Sequence, residues 1–200
     1  MELYFAPLAC SMATRIALYE AGAEARFTQV DTRARRVSDG SDYLAINPLG
    51  QVPVLRSESG QLLTENPVVL QHVAEAYPQA GLMPADPAGR LRLQQWLGFI
   101  TTELHKLVFS PLLDPKAPEG ARTYAKDKAV PRFDHLEREL AGRDFLLDRF
   151  SIADAYLVTV LNWSSAAGID LGQWPAVNAY RKRLLQRPAV ARAVTEERAL

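Results

Sequence analysis

Between residues 3 and 30 the chain spells out a strand, a helix and a second strand. Leu3, Tyr4 and Phe5 are β-formers closed off by Pro7. Met12 to Ala21 carries Ala13, Ile16, Ala17 and Glu20 at helical spacing, and Gly22 can sit just past its end. Phe27 to Val30 reads as a second strand. Two strands joined through a helix form a βαβ unit, which implies a parallel pair. The first part of the chain is therefore expected to be α/β.

Residues 31–47 are polar, with a basic knot at Arg33, Arg35 and Arg36. Gln51 to Arg56 reads as a strand with Pro53 near its start, Ser59-Gly60 as a turn, and Gln61 to Thr64 as a short returning strand. Asn66 followed by Pro67 predicts a helix with Asn66 as its N-cap, ending before Pro78. Residues 81–87 form a connector containing glycine and proline, and no convincing strand follows it. Helices are expected over 88–109, 121–140, from Ser151 to about Ala167, and over 174–186 and 189–197. Ser151 and Asp154 make a capping-box variant at the start of the third of these. The sequence thus reads as a small α/β domain over 1–79 and an all-helical domain over 87–200.

Lys and Arg total 23 and so do Asp and Glu, giving a net charge of +0. That argues against a general nucleic-acid or anionic-membrane binder, which needs a basic excess. One cysteine permits no intrachain disulfide and no multi-cysteine zinc site. The three histidines, His72, His105 and His135, form no HExxH pair, and no metal site is expected. No apolar run is long enough to span a membrane, and MELYFAPLACS lacks signal-peptide character. A cytoplasmic protein is the expectation.

Cys10 falls between the first strand and the first helix. Free amides and partial positive charge at a helix start favour thiolate over thiol. A small buried hydrophobe is the other common role of a lone cysteine, and local sequence leaves both open. A cis bond before Pro53 would turn the Val52 N–H and C=O outward for a peptide-like ligand, although an ordinary edge-strand proline is commoner. Glu65-Asn66 at a helix start could hold a carboxylate and pair with an ammonium, or simply cap. The Arg33, Arg35 and Arg36 cluster could bind a carboxylate or be a solvated loop face. Thr102, His105 and Lys106 share one helix face at i, i+3 and i+4. A histidine there could act as acid or base, or be a satisfied, partly buried side chain.

The order of these features along the chain is more informative than any one of them. Ala9-Cys10-Ser11, Asp42-Tyr43 with Asn47-Pro48, Gly50-Gln51-Val52-Pro53, Leu63-Thr64-Glu65, Thr102-Glu103-Leu104-His105-Lys106 and Ser151-Ile-Ala-Asp-Ala-Tyr156 together resemble the cysteine-bearing beta class of bacterial glutathione transferases. The resemblance spans nearly the whole chain. It implies a thioredoxin-like N-terminal domain, an all-α C-terminal domain, a homodimer, and glutathione as co-substrate lying along the N-terminal domain. Carried over by position, it implies that Cys10 meets the glutathione sulfur. Val52, beside a cis Pro53, would hold the cysteinyl backbone, and Glu65 and Asn66 the γ-glutamyl end. Arg35 would stand near the glycyl carboxylate. Thr102 and Glu103 would reach glutathione across the dimer, with Lys106 beside them, and His105 would lie near the sulfur.

Three positions depart from the class pattern. Phe5 stands where tyrosine is frequent, Asn66 replaces serine or glycine, and Gly98 replaces asparagine. Gly98 also lowers helix propensity by about 1 kcal/mol relative to alanine.

The residues agree with the chemistry this implies. Glutathione is charged at both ends and carries its thiol in the middle. Arg35 and the second helix start can anchor the ends, while Cys10 and Ser11 at the first helix start can stabilise the sulfur. The expected reaction joins glutathione to an electrophilic small molecule. A mixed disulfide between Cys10 and glutathione is a rival reading, with no dithiol route because position 13 is Ala13. A non-catalytic ligand carrier of the same fold is another.

Overall fold

The computed structural model describes residues 1–200. Two compact units emerge, Met1–Met83 together with Pro188–Leu200, and Pro84–Arg187. The sequence reading assigned the whole of 87–200 to one helical domain. The last helix instead makes its contacts with the first unit, because acidic side chains at its end meet a buried arginine there.

The first unit is a five-stranded sheet in the order β3-β2-β1-β4-β5. β1 (Glu2–Phe5) and β2 (Arg26–Asp31) pair in parallel through α1 (Met12–Glu20), as the opening pattern requires. β3 (Arg36–Val37), β4 (Val54–Arg56) and β5 (Leu62–Leu63) each join antiparallel to a neighbour. β3 was not expected. Its two residues carry no alternation to read, and they pair within the polar stretch.

Successive side chains of β1 point to opposite faces. Tyr4 packs on one face with Val30, Val37, Tyr43 and Val54. Leu3 and Phe5 point to the other face, where Ile16 and Ala17 of α1 are fully buried, as are Val69, Leu70 and Val73 of α2 (Asn66–Ala76). The arrangement is the α/β unit the resemblance implies.

The second unit is helical. α3 (Pro87–Phe99) starts with Pro87, after Asp86 accepts the Gly89 amide at 2.7 Å. It runs into a π-helical segment, Ile100–Phe109, and then α4 (Ser110–Leu113). The sequence reading had one α-helix across 88–109. Pro111 supplies the physical reason for the change. It has no N–H, and its ring would strike the carbonyl of Leu107 in an α-turn. The wider turn closes instead from the Ser110 amide to the His105 carbonyl, five residues back.

α5 (Glu119–Leu140), α6 (Ile152–Leu161) and α7 (Pro175–Leu185) complete this unit, and α8 (Pro188–Arg198) belongs to the first. α6 stops short of Ala167 because residues 162–168 turn. Its start is held as the sequence reading expects. Asp154, fully buried, accepts from the Ser151 amide and hydroxyl, the Leu146 amide and the Tyr180 hydroxyl at 2.8–2.9 Å. No helix is long and apolar enough to cross a membrane.

Candidate active site

Cys10 closes the loop from β1 to α1. Its thiol is half-buried and donates to the Val52 carbonyl at 3.1 Å. The only cysteine is therefore joined to the residue before Pro53, 42 positions along the chain. The Val52–Pro53 bond is cis. Gln51 is held in turn, its carbonyl accepting from Tyr43 Oη and Asn47 Nδ2 at 2.8 Å each. Tyr43 and Asn47, which belong to the pattern behind the resemblance, thus act as clamps on this loop.

The loop is more tightly wound than a bare helix start. The amides of Met12 and Ala13 bond the carbonyls of Ala9 and Cys10 at 3.0 and 3.1 Å. Those two amides are thus already used, contrary to the simple picture of open donors beside the sulfur.

Ser11 is also corrected. It is fully buried, and its hydroxyl exchanges hydrogen bonds with the Ala6 amide and carbonyl at 3.2 Å. It shapes the loop and has no surface to offer a ligand.

α2 begins one residue differently from the sequence expectation. Glu65 is the N-cap and Asn66 the first helical residue. Asn66 is 5% exposed; it donates to the Cys10 carbonyl at 3.2 Å and accepts from the Thr14 hydroxyl at 3.3 Å. Its side chain therefore braces the cysteine loop against α2 and does not cap. Glu65 is exposed and sits at φ 64°, a left-handed conformation costly for a residue with a Cβ.

Arg35 shares that backbone feature, with φ 57°, and is exposed. Its stem passes Gly50, where an added Cβ would lie 3.9 Å from Arg35 Cγ. Gly50 itself is at φ 64° and precedes Gln51. Cys10, Val52, Asn66 and the Arg35 stem beside Gly50 are thus linked to one end of the first unit. Arg33 and Arg36 remain exposed on the loop and β3, and Arg36 donates to the Gly40 carbonyl.

Phe5 is explained by its neighbour. The Arg15 guanidinium is only 4% exposed and lies between the Phe5 and Phe27 rings, 4.2 and 4.3 Å from their centroids. It pairs with Glu196 at 3.2 Å and lies 3.1 Å from Glu197 Oε1, the latter without hydrogen-bond alignment. Glu197 Oε2 accepts the Leu8 amide at 2.6 Å. Burial pushes the Glu197 carboxyl up to about 7. Arg15 and Glu197 were not legible, because their pairing joins helices at opposite ends of the chain.

In the helical unit, His105 Nδ1 lies 2.7 Å from Tyr156 Oη, and its ring meets Trp163 edge to face at 5.1 Å. Burial first, then the Lys106 charge, pushes its pKa down to about 4. Thr102 and Lys106 are exposed. The shared α-helical face expected for these three residues does not form, since in the π-helical turn His105 faces Tyr156 and Trp163. Glu103 pairs with Arg132 at 2.6 Å and lines a cleft of about 470 Å³ with Trp96, Phe99 and His135.

Residues 1–75 match the glutathione S-transferase N-terminal domain family, and residues 100–188 match its C-terminal domain family. The chain is 36% identical over 199 residues to glutathione S-transferase GstA of Escherichia coli O157:H7, covering 98% of each. It superposes with a TM-score of 0.95 on a sphingomonad glutathione S-transferase complexed with glutathione, at 40% identity and covering 100% of both chains. A bacterial beta class enzyme from Sphingomonas chungbukensis gives 0.94 at 39% identity, with 98% of each chain covered.

The chain belongs to the glutathione S-transferase family.

The transferase uses glutathione as co-substrate, and its fold is the thioredoxin-like unit plus helical unit of that family. Around Cys10 the structure joins the Val52 carbonyl and, through Asn66, the start of α2.

Proposed function

We propose that this transferase holds glutathione along the end of the first unit built by Cys10, Val52, Pro53, Arg35 and Glu65, and conjugates it to an electrophilic small molecule. The observation that carries the assignment is the 3.1 Å bond from the Cys10 thiol to the Val52 carbonyl, which joins the only cysteine to the cis-proline loop. Val52 offers its backbone to the cysteinyl residue, Arg35 takes the glycyl carboxylate, and Glu65 takes the γ-glutamyl ammonium. Asn66 holds the loop in place. Cys10 then acts on the glutathione sulfur, which attacks the electrophile as thiolate; the leaving group departs with the electron pair of the broken bond. His105 of the helical unit is the second catalytic residue in this reading.

Glutathione is proposed to be completed by Thr102, Glu103 and Lys106 of a second copy in a homodimer. The exposure of Thr102 and Lys106 is consistent with that role. The cytoplasm, with its supply of reduced glutathione, is the proposed location.

Steady-state kinetics of variants test the binding assignments. Arg35→Ala and Glu65→Ala are each expected to raise KM for glutathione by about tenfold with kcat little changed, as loss of uniform binding does. Unchanged KM in both would refute the placement.

A second reading rests on the half-buried position of Cys10. Its thiolate could attack glutathione disulfide, forming a Cys10–glutathione bond and releasing reduced glutathione. Intact-protein mass after exposure to glutathione disulfide reads this out directly.

A further inference from the structure

The imidazole of His105 has two nitrogens, and only one carries a hydrogen in the neutral ring. Which one decides the chemistry the residue can perform. With the hydrogen on Nδ1, Nε2 is a base. With the hydrogen on Nε2, the ring is a hydrogen-bond donor. Nδ1 lies 2.7 Å from Tyr156 Oη, and Tyr156 is 1% exposed on the fully buried helix α6. The two rings are perpendicular, with centroids 6.0 Å apart, while Trp163 closes another side of the imidazole at 5.1 Å. The π-helical turn forced ahead of Pro111 directs His105 to these partners, and its carbonyl accepts the Ser110 amide and hydroxyl. A phenol hydroxyl is a stronger donor than a neutral imidazole N–H, and an imidazole nitrogen is a stronger acceptor than a phenol oxygen.

We infer that Tyr156 is a positioning residue that donates its hydroxyl to His105 Nδ1 and so fixes the neutral tautomer with hydrogen on Nε2, making His105 a hydrogen-bond donor to the reacting molecule and not a general base. The inference deepens the proposed function, since it rests on His105 acting in the reaction. Lys106 is the neighbouring charge that also disfavours a cationic ring. No proton is transferred: Nε2–H is offered to the sulfur anion or to negative charge developing on the electrophile. The depressed pKa of His105 agrees, because a ring that stays neutral keeps this single donor.

Long-range ¹H–¹⁵N spectra of the wild-type protein at neutral pH test the inference. Three histidines give three ring systems, and His105→Gln identifies the one that disappears. The expected result is a ¹⁵N pattern with hydrogen on Nε2 for His105, converted to a tautomer mixture in Tyr156→Phe. Tyr156→Phe should lower kcat by about tenfold with KM for glutathione nearly unchanged. His105→Gln/Tyr156→Phe should be no slower than His105→Gln alone, because the tyrosine acts through the histidine. Hydrogen on Nδ1 in the wild type, or an unaltered tautomer in Tyr156→Phe, overturns the inference whatever the activities. His105→Gln as fast as wild type removes the histidine from the reaction and overturns the inference, whereas a wild type inactive with glutathione defeats the proposed function and leaves the tautomer readout standing.

Discussion

Glu197, one residue from the end of α8, accepts the Leu8 amide through Oε2 at 2.6 Å, two positions before the only cysteine. Leu8 sits at φ 57°, a conformation a leucine holds only when its surroundings impose it. The loop that presents Cys10 is thus tied to a segment 189 residues away. Glu197→Ala removes a buried acceptor and should cost about 1–3 kcal/mol in chemical denaturation. It should also lower conjugation activity by releasing the loop, whereas Glu197→Gln, which keeps an acceptor, should retain most of it.

The same carboxyl predicts a pH dependence. Its folded value of about 7 lies above the ordinary 4.5, so the folded state binds the proton more tightly than the unfolded state. Stability from this group is present below about 4.5 and is lost as pH rises through about 7, by up to about 3 kcal/mol. Denaturation midpoints measured across that window should fall with pH in the wild type, with the Glu197 contribution absent in Glu197→Gln.

Arg15 lies between two aromatic rings and beside two carboxylates, a setting that suits a flat guanidinium. Arg15→Lys should destabilise by about 1–2 kcal/mol through loss of stacking. Arg15→Ala should cost more, about 3–5 kcal/mol, because Glu197 is left buried without its cation. Equal effects of the two substitutions in denaturant titration would remove the stacking explanation.

His105 should titrate opposite to Glu197. Its value is depressed to about 4, so its contribution is complete above the ordinary 6.5 and is lost as pH falls through about 4. The ring resonances of His105 should therefore stay at neutral positions down to pH of about 5.5 in an NMR titration.

At Gly98 an added Cβ meets nothing within 4 Å. Gly98→Ala should raise stability by about 0.5–1 kcal/mol, readable as a higher denaturation midpoint.

Much of the fold is legible because its signals are local. The opening strand, helix and strand give the parallel pair of β1 and β2, and Ser151 with Asp154 marks the start of α6. The short β3 carries too little pattern to find. The π-helical turn is not legible, because periodicity assigns 100–109 to the α-helix that precedes it. At the site, Cys10 and Pro53 were legible as types at telling positions. The burial of Ser11, the brace formed by Asn66 and the separation of His105 from Thr102 and Lys106 were not, since each depends on which way a side chain turns. Glu197 has no local signal, and Tyr156 has only its place in the Ser151–Tyr156 pattern, which speaks for the fold. Their roles come from partners at Leu8 and His105, and only the folded chain supplies those.

The most direct test of the account is conjugation of glutathione to a generic aryl halide by the wild type and by Cys10→Ala, measured side by side with glutathione varied. The account predicts saturable conjugation by the wild type and a fall in kcat of about tenfold or more in Cys10→Ala, with KM for glutathione little moved. A Cys10→Ala enzyme as fast as the wild type would contradict the catalytic role given to the thiol, and a wild type that conjugates nothing would contradict the functional assignment itself.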